Sequence, residues 1–186
     1  MSGDRPAFPA HLAVVTSGYP APACPTSGMF VRQFAFAVAR QGVACTVVHP
    51  VALHHAWRGS GYPLQEREDA GSGRSVAVYR PRFLSFSARD AFSALGPLNP
   101  SLWTFRRFTA AARGVLERLP EPPDALYGHF LYLSGAAAVR IGRDLGVPAF
   151  PCMGEGELWT VRRFGMARAR ADLAPACGFL ANSSAL

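Results

Sequence analysis

The chain has 186 residues, 49% hydrophobic and 17% charged, with 19 basic against 12 acidic side chains and a formal charge of +7. That length and balance describe one domain with its own core and exclude an intrinsically disordered chain. No apolar run reaches the span of a bilayer, and the N-terminus has one early arginine, Arg5, two prolines and no apolar segment of signal-peptide length, so neither a membrane helix nor a signal peptide is expected.

All 19 basic residues are arginine. The positive balance fits either a solvated surface or an anionic partner: phosphate groups, an anionic membrane surface or nucleic acid. The chain carries no nucleic-acid motif, so no nucleic-acid partner is expected. The four cysteines, Cys24, Cys45, Cys152 and Cys177, form no CxxC and no Cys/His cluster. Cys45, Cys152 and Cys177 fall in apolar runs, which suggests buried free thiols and a cytoplasmic protein.

Residues 1–10 read as a loose tail. HLAVVTS, from His11, is an apolar run ended by turn residues and predicts a buried strand. Met29 to Arg40 is apolar around most of a helix, and Gly42 suits its C-terminal cap. ACTVVHP, ending at Pro50, predicts a second buried strand. Strand, helix and strand with continuous apolar character imply a parallel sheet covered on both faces. Residues 51–75 lack periodicity and read as an insertion or mobile loop. SVAVYRP, from Ser75, alternates as a strand near an edge, and residues 83–100 are irregular. Ser101 to Leu119 predicts a helix capped by Ser101 and stopped by Pro120. ALYGHF, from Ala125, is a strand; Ser134 to Leu145 is a helix closed by Gly146; VPAFPCM, from Val147, is a strand. Glu157 to Ala174 predicts a further helix and CGFLANS, from Cys177, a last strand. The pattern is α/β: a doubly wound, mostly parallel Rossmann-like sheet. It breaks off at NSSAL, which resembles the cap of a helix just begun, so residues 11–186 are expected to be one domain of a longer protein.

In such a sheet, ligands bind at the carboxyl ends of strands. Gly28 opens the helix that follows the first strand. A glycine there lets backbone N–H groups approach an anion, and the helix dipole favours negative charge. The alternative is that Gly28 merely turns the chain. Neither GxGxxG nor GxxxxGK[ST] is present, which disfavours ordinary dinucleotide and P-loop sites.

YP…TSGMFVRQFAFAVARQGVACTVVHP resembles the opening of bacterial family 4 glycosyltransferases of the GT-B fold, with their YP…G-x-F-V pattern, apolar helix and following strand. ALYGHFLYLSGAAAVRIGRDLGVPAFPCMGEGELW is similar to a downstream family segment that carries an H-x-H pair and an HGxD. GFLANSSAL is similar to a third. Residues 51–120 match poorly. The resemblance implies the N-terminal, acceptor-side half of a GT-B enzyme, with a donor-binding domain beyond this chain. It implies a retaining, metal-independent reaction with a nucleotide-diphosphate sugar as donor, no cofactor, and a carbohydrate or lipid-linked acceptor.

Carried over by matching positions, Gly28 with Ser27 and Thr26 would approach the donor diphosphate. His129 matches the second histidine of H-x-H and would act near a sugar hydroxyl; the first is replaced by Tyr127. Gly154 matches the glycine of HGxD, whose histidine is Met153 here and whose acid is displaced to Glu155 or Glu157. Glu155 is the expected catalytic carboxylate; Gly154 and Glu157 are expected on the acceptor side. Glu157 could equally favour the start of the next helix. Asn182 and Ser183 follow the last strand, where Ser183 suits a helix N-cap. Arg162, Arg163, Arg168 and Arg170 with Trp159 and Phe164, and Arg106 and Arg107 with Trp103, Phe105 and Phe108, suit either a helix lying on anionic lipid at the inner membrane face or arginines reaching out from packed helices. His54 and His55 lack a third ligand nearby, and no metal site is expected. The expected function is sugar transfer in polysaccharide or glycolipid synthesis, with the isolated chain inactive. A nucleotide-sugar epimerase of the same fold and a non-catalytic sugar-binding module are the alternatives.

Overall fold

The computed structural model describes residues 9–56, 61–86, 98–154, 161 and 164–181. Residues 1–8 of the expected tail, Glu155, Glu157, Trp159, Arg162, Arg163, Asn182 and Ser183 lie outside the described residues.

The elements run β1 (His11–Val15), α1 (Met29–Arg40), β2 (Ala44–Val48), β3 (Val51–Ala52), α2 (Leu53–Ala56), β4 (Gln65–Gly71), β5 (Arg74–Tyr79), β6 (Arg82–Phe83), α3 (Pro100–Leu116), β7 (Ala125–His129), a kinked turn (Leu131–Gly135), α4 (Ala136–Leu145), β8 (Ala149–Met153), α5 (Met166–Leu173) and β9 (Leu180–Ala181). Seven strands form one sheet in the order β4-β5-β2-β1-β7-β8-β9. Every neighbouring pair is parallel except β4 and β5, which pair antiparallel. Strands β3 and β6 form a separate parallel pair.

Alternation along each strand splits the core between two faces. Val14, Val47, Val76, Val78 and Tyr127 pack with Val31, Ala35 and Ala39 of α1. Those α1 residues recur every four positions, one stripe of a helix. Ala13, Val15, Val48 and Leu126 face the other way, onto Phe105, Phe108 and Ala112 of α3 and Val139 and Ile141 of α4. This is the doubly wound, mostly parallel Rossmann-like sheet expected from the sequence.

Four local expectations change. Within residues 51–75, expected to be irregular, Gln65–Gly71 is a strand on the outer edge, so β5 is not the edge. Its inner face carries two carboxylates before a single buried apolar residue, Ala70, so no hydrophobic alternation marks it: Glu68 pairs with Arg32 Nε at 2.8 Å and Glu66 with Arg80 at 2.5 Å. The α3 helix is capped by Asn99, whose Oδ1 accepts from the Ser101 N–H at 2.9 Å; Pro100 takes the first helical position, where a missing N–H costs nothing. Gly165, at φ 87, stands as the non-helical residue before α5, which spans only Met166–Leu173. Cys177 is exposed rather than buried, and all four cysteines are free thiols.

The two arginine-rich segments also resolve. Phe105 and Phe108 belong to the core, whereas Trp103 is exposed with Arg106 5.7 Å above its ring. Arg168 pairs with Asp172 one turn on, at 2.7 Å. Among the described residues no helix is long and apolar enough to cross a membrane.

Candidate functional site

The chain leaves β1 towards β2 on one side and later fills β7 on the other, so the winding reverses between β1 and β7. At such a switch point the connections diverge from the carboxyl ends of the two strands and leave a crevice between them. The residues bordering it come from the loop between β1 and α1 and from the end of β7.

The first border is tightly folded. The Thr16 hydroxyl donates to the Gly18 carbonyl at 2.8 Å and accepts from the Gly18 N–H at 3.2 Å. Tyr19 is fully buried, and its hydroxyl donates to Glu68 at 3.0 Å. Gly28 closes the loop with φ +65, and a Cβ built on it would meet the Gly18 oxygen at 2.2 Å. The glycine is therefore demanded by the packing of the loop on itself, whatever binds there. Thr26 is exposed and Ser27 half-buried on the same loop. What the loop presents to a ligand is the start of α1, which has no side-chain cap and no acidic residue in its first turn. Its initial N–H groups and the helix dipole suit an anion.

The second border is the end of β7, where alternation turns Tyr127 and His129 to the α1 face. The Tyr127 hydroxyl lies 2.8 Å from His129 Nδ1. Tyr127 also hydrogen-bonds Cys152 of the adjacent strand, and burial first, then that contact, holds its phenol neutral far above the ordinary range. Burial pushes His129 down to about 4, so the imidazole is neutral near neutral pH. A neutral ring bonded at Nδ1 has only Nε2 left for a ligand, as donor or acceptor according to the tautomer. The replacement of the expected first histidine by Tyr127 thus preserves a polar partner in direct contact with His129.

Helix α1 joins the two borders. Phe30, in its first turn, lies 4.8 Å from the His129 ring and 5.8 Å from Phe130. Phe34, one turn on, stacks on Tyr127 at 4.5 Å. Phe130 itself sits at φ 72, ψ 153, a conformation nearly confined to glycine, directly after His129. Backbone strain of this kind gathers where a neighbour must be held in one place. Gly154 follows β8, half-buried at the same sheet edge, one strand over from His129 in register with Cys152. The structure therefore brings the Gly28 loop and His129 together through Phe30, and sets Gly154 on the same edge. Among the described residues no group of three His, Cys, Asp or Glu side chains could hold a metal, and the rings of His54 and His55 lie 4.2 Å apart.

Sequence reasoning missed a second polar cluster on this edge. His49 follows β2, Arg80 follows β5 and Arg82 begins β6; His49 and Arg80 are buried, Arg80 completely. The signal was present in YRPRF, two charges at the carboxyl end of an otherwise apolar strand.

No family model and no curated protein matches the chain. Solved structures do. Arabidopsis thaliana UGT89C1 complexed with quercetin matches with a TM-score of 0.54 at 15% identity, covering 94% of this chain and 43% of that one. The same protein complexed with UDP-L-rhamnose gives 0.53 at 14%, covering 94% and 45%. Os79 T291V from O. sativa in complex with UDP gives 0.50 at 15%, covering 92% and 47%. At such identities the likeness is one of fold: this chain has the Rossmann-like half of the GT-B glycosyltransferase architecture, and it spans under half the length of those proteins.

Proposed function

We propose that this chain is the acceptor-side half of a glycosyltransferase that moves a sugar from a nucleotide-diphosphate donor to an acceptor hydroxyl. The observation that carries the reading is the meeting, at the sheet's switch point, of an uncapped helix N-terminus and a hydrogen-bonded Tyr127–His129 pair, bridged by Phe30. The fold neighbours bound to UDP, UDP-L-rhamnose and quercetin support a nucleotide sugar and an organic acceptor as partners.

In this reading the donor diphosphate approaches the start of α1. The Gly28 loop supplies N–H groups, and Ser27 and Thr26 supply hydroxyl donors; the charge that builds on the departing diphosphate is stabilised there. His129, neutral and oriented by Tyr127, presents Nε2 to a sugar or acceptor hydroxyl. Gly154 leaves room for the acceptor on the next strand, and Glu155 and Glu157 supply carboxylates to its hydroxyls. The reaction is retaining and metal-independent, as in the bacterial family 4 enzymes whose sequences this chain resembles, and a second domain completes the donor site. A lipid-linked acceptor of surface polysaccharide or glycolipid synthesis, met at the inner membrane face, suits the exposed Trp103 beneath Arg106.

The test is release of nucleoside diphosphate from a panel of nucleotide sugars by the product of the whole reading frame containing these codons, with and without membrane lipid. Release is expected to need an acceptor and to fall about a hundredfold in His129→Ala, the scale of losing a positioned acid–base group. Acceptor-free conversion of the sugar would replace transfer with epimerisation. Binding without turnover would leave a sugar-binding module.

A further inference from the structure

A hydroxyl meets His129 only by coming within hydrogen-bond reach of its ring. In this structure the ring is closed in, and the residue keeps 6% of its surface. Tyr127 lies on the same strand with its hydroxyl 2.8 Å from Nδ1. Phe130 stands edge-on at 4.5 Å, and Phe30 lies over the ring at 4.8 Å, tilted by 35°. A sugar ring needs a wider opening than these neighbours leave.

The three neighbours are held with different firmness. Tyr127 is buried in β7 and stacked on Phe34. Phe130 is fixed by its own backbone, at φ 72 directly after the strand. Phe30 is 49% exposed, in the first turn of a helix whose N-terminus has no side-chain cap. It belongs to neither core, and its ring meets those of His129 and Phe130. Rotation about its side-chain bonds gives up those two ring contacts and leaves both cores intact. Exposed side chains rotate within nanoseconds, and two weak contacts leave the rotated arrangement a minority of about 1–10%. Burial is what pushes His129 down to about 4. The first turn of α1 holds no carboxylate and Tyr127 is neutral, so no charge facing the ring offsets that burial.

We propose that the Phe30 ring is a swinging cover over His129, sealing the imidazole while the crevice is empty and turning out to admit a sugar or acceptor hydroxyl. The incoming sugar then takes the place of the phenyl ring and keeps water away from the imidazole. The backbone of the same residue supplies one of the first N–H groups of α1, so an anion at the helix start and a hydroxyl at His129 meet on either side of Phe30. The role of the cover in transfer rests on the reading of His129 as the group that meets a hydroxyl; the cover itself is measured without substrate.

The test uses the product of the whole reading frame containing these codons. The His129 ring is titrated by NMR, and its carbethoxylation by diethyl pyrocarbonate near neutral pH is timed by mass spectrometry against that of the exposed His54. Wild-type His129 is expected to react about tenfold to a hundredfold more slowly than His54, through the rotated minority. Phe30→Ala, a change at a half-exposed position whose fold circular dichroism checks, is expected to quicken the reaction at least about tenfold and to raise the His129 pKa above about 5, as burial is relieved. Phe30→Trp, which restores a large ring, is expected to return both readings towards wild type. Unchanged titration and rate in Phe30→Ala would overturn the proposal, because Tyr127 and Phe130 would then bury the imidazole by themselves. Equal reaction of His129 and His54 in wild type would show that nothing covers the ring. A wild-type ring that never reacts, beside a reactive Phe30→Ala, would make Phe30 a fixed plug and overturn the swing. If these arms come out as expected and His129→Ala leaves sugar transfer unchanged, the cover stands and the transfer role of His129 falls.

Discussion

Gly28 occupies a position where an alanine would suffer twice, from φ +65 and from a Cβ 2.2 Å from the Gly18 oxygen. Gly28→Ala is expected to cost about 2 kcal/mol or more of stability, read as a lowered urea midpoint at unchanged slope. A phosphate role alone would leave stability unmoved and lower only ligand affinity. The histidines speak to pH. His129 and His49 are held at about 4 and about 3, below the ordinary value of about 6.5. Below that ordinary value the unfolded chain binds protons that the native chain refuses. Their contribution to stability is thus complete above about pH 6.5 and is lost as pH falls towards 4 and then 3. The urea midpoint should fall between about pH 7.5 and about pH 5, and fall less in His129→Asn, which removes one of the two titrations.

At the scale of elements, the strands that pack on both faces declared themselves, because β1, β2, β7 and β8 are apolar along most of their length, as strands between two helix layers must be. Strand β4 did not. It lies at the edge, and its inner face turns Glu66 and Glu68 to Arg80 and Arg32, so its pairing with β5 shows only in three dimensions. Charged edges of this kind also discourage pairing with a second sheet. The start of α3 was displaced by two residues because Ser101 and Asn99 are both good caps and only the backbone geometry chooses between them. Asn99→Ala is expected to lower stability by about 1 kcal/mol in thermal or urea unfolding, since it removes the side-chain oxygen that accepts from the Ser101 N–H and caps the helix.

For the whole molecule, the sheet is held between two cores of different character. The α3 and α4 side is the richer in large side chains: Phe105, fully buried, meets Tyr132 at 5.4 Å and Phe164 at 6.3 Å, joining α3 to the turn after β7 and to the segment before α5. Phe105→Ala is expected to cost about 3–5 kcal/mol, the range for a large aromatic cavity, and to raise hydrogen exchange in α3 and α4 before it does so in α1. The α1 side depends on smaller residues and on polar ties. Arg80 ties together the loop after β1, the strip before β4 and β4 itself, through Pro20, Pro63 and Glu66. That division places the more apolar core behind the sheet and the polar one next to the crevice, where a ligand's charges can be met.

Taken by itself, the sequence determined the class of fold and the places where chemistry concentrates. Apolar runs of five to seven residues, separated by helical stripes and closed by Gly42 and Gly146, admit few arrangements other than a parallel sheet with helices on both sides. Gly28 and His129 were legible because the one opens the helix that follows the first strand and the other stands at the carboxyl end of an apolar run. Only the tertiary structure decided that they share one crevice, since the strand order that puts β7 beside β1 follows from packing across the whole sheet. It alone joined Tyr127 to His129, set Phe30 between the two borders, and gathered His49, Arg80 and Arg82 from separate strands. Periodicity reports which face of an element is buried; hydrogen bonds and charge pairs between distant segments leave no period to read.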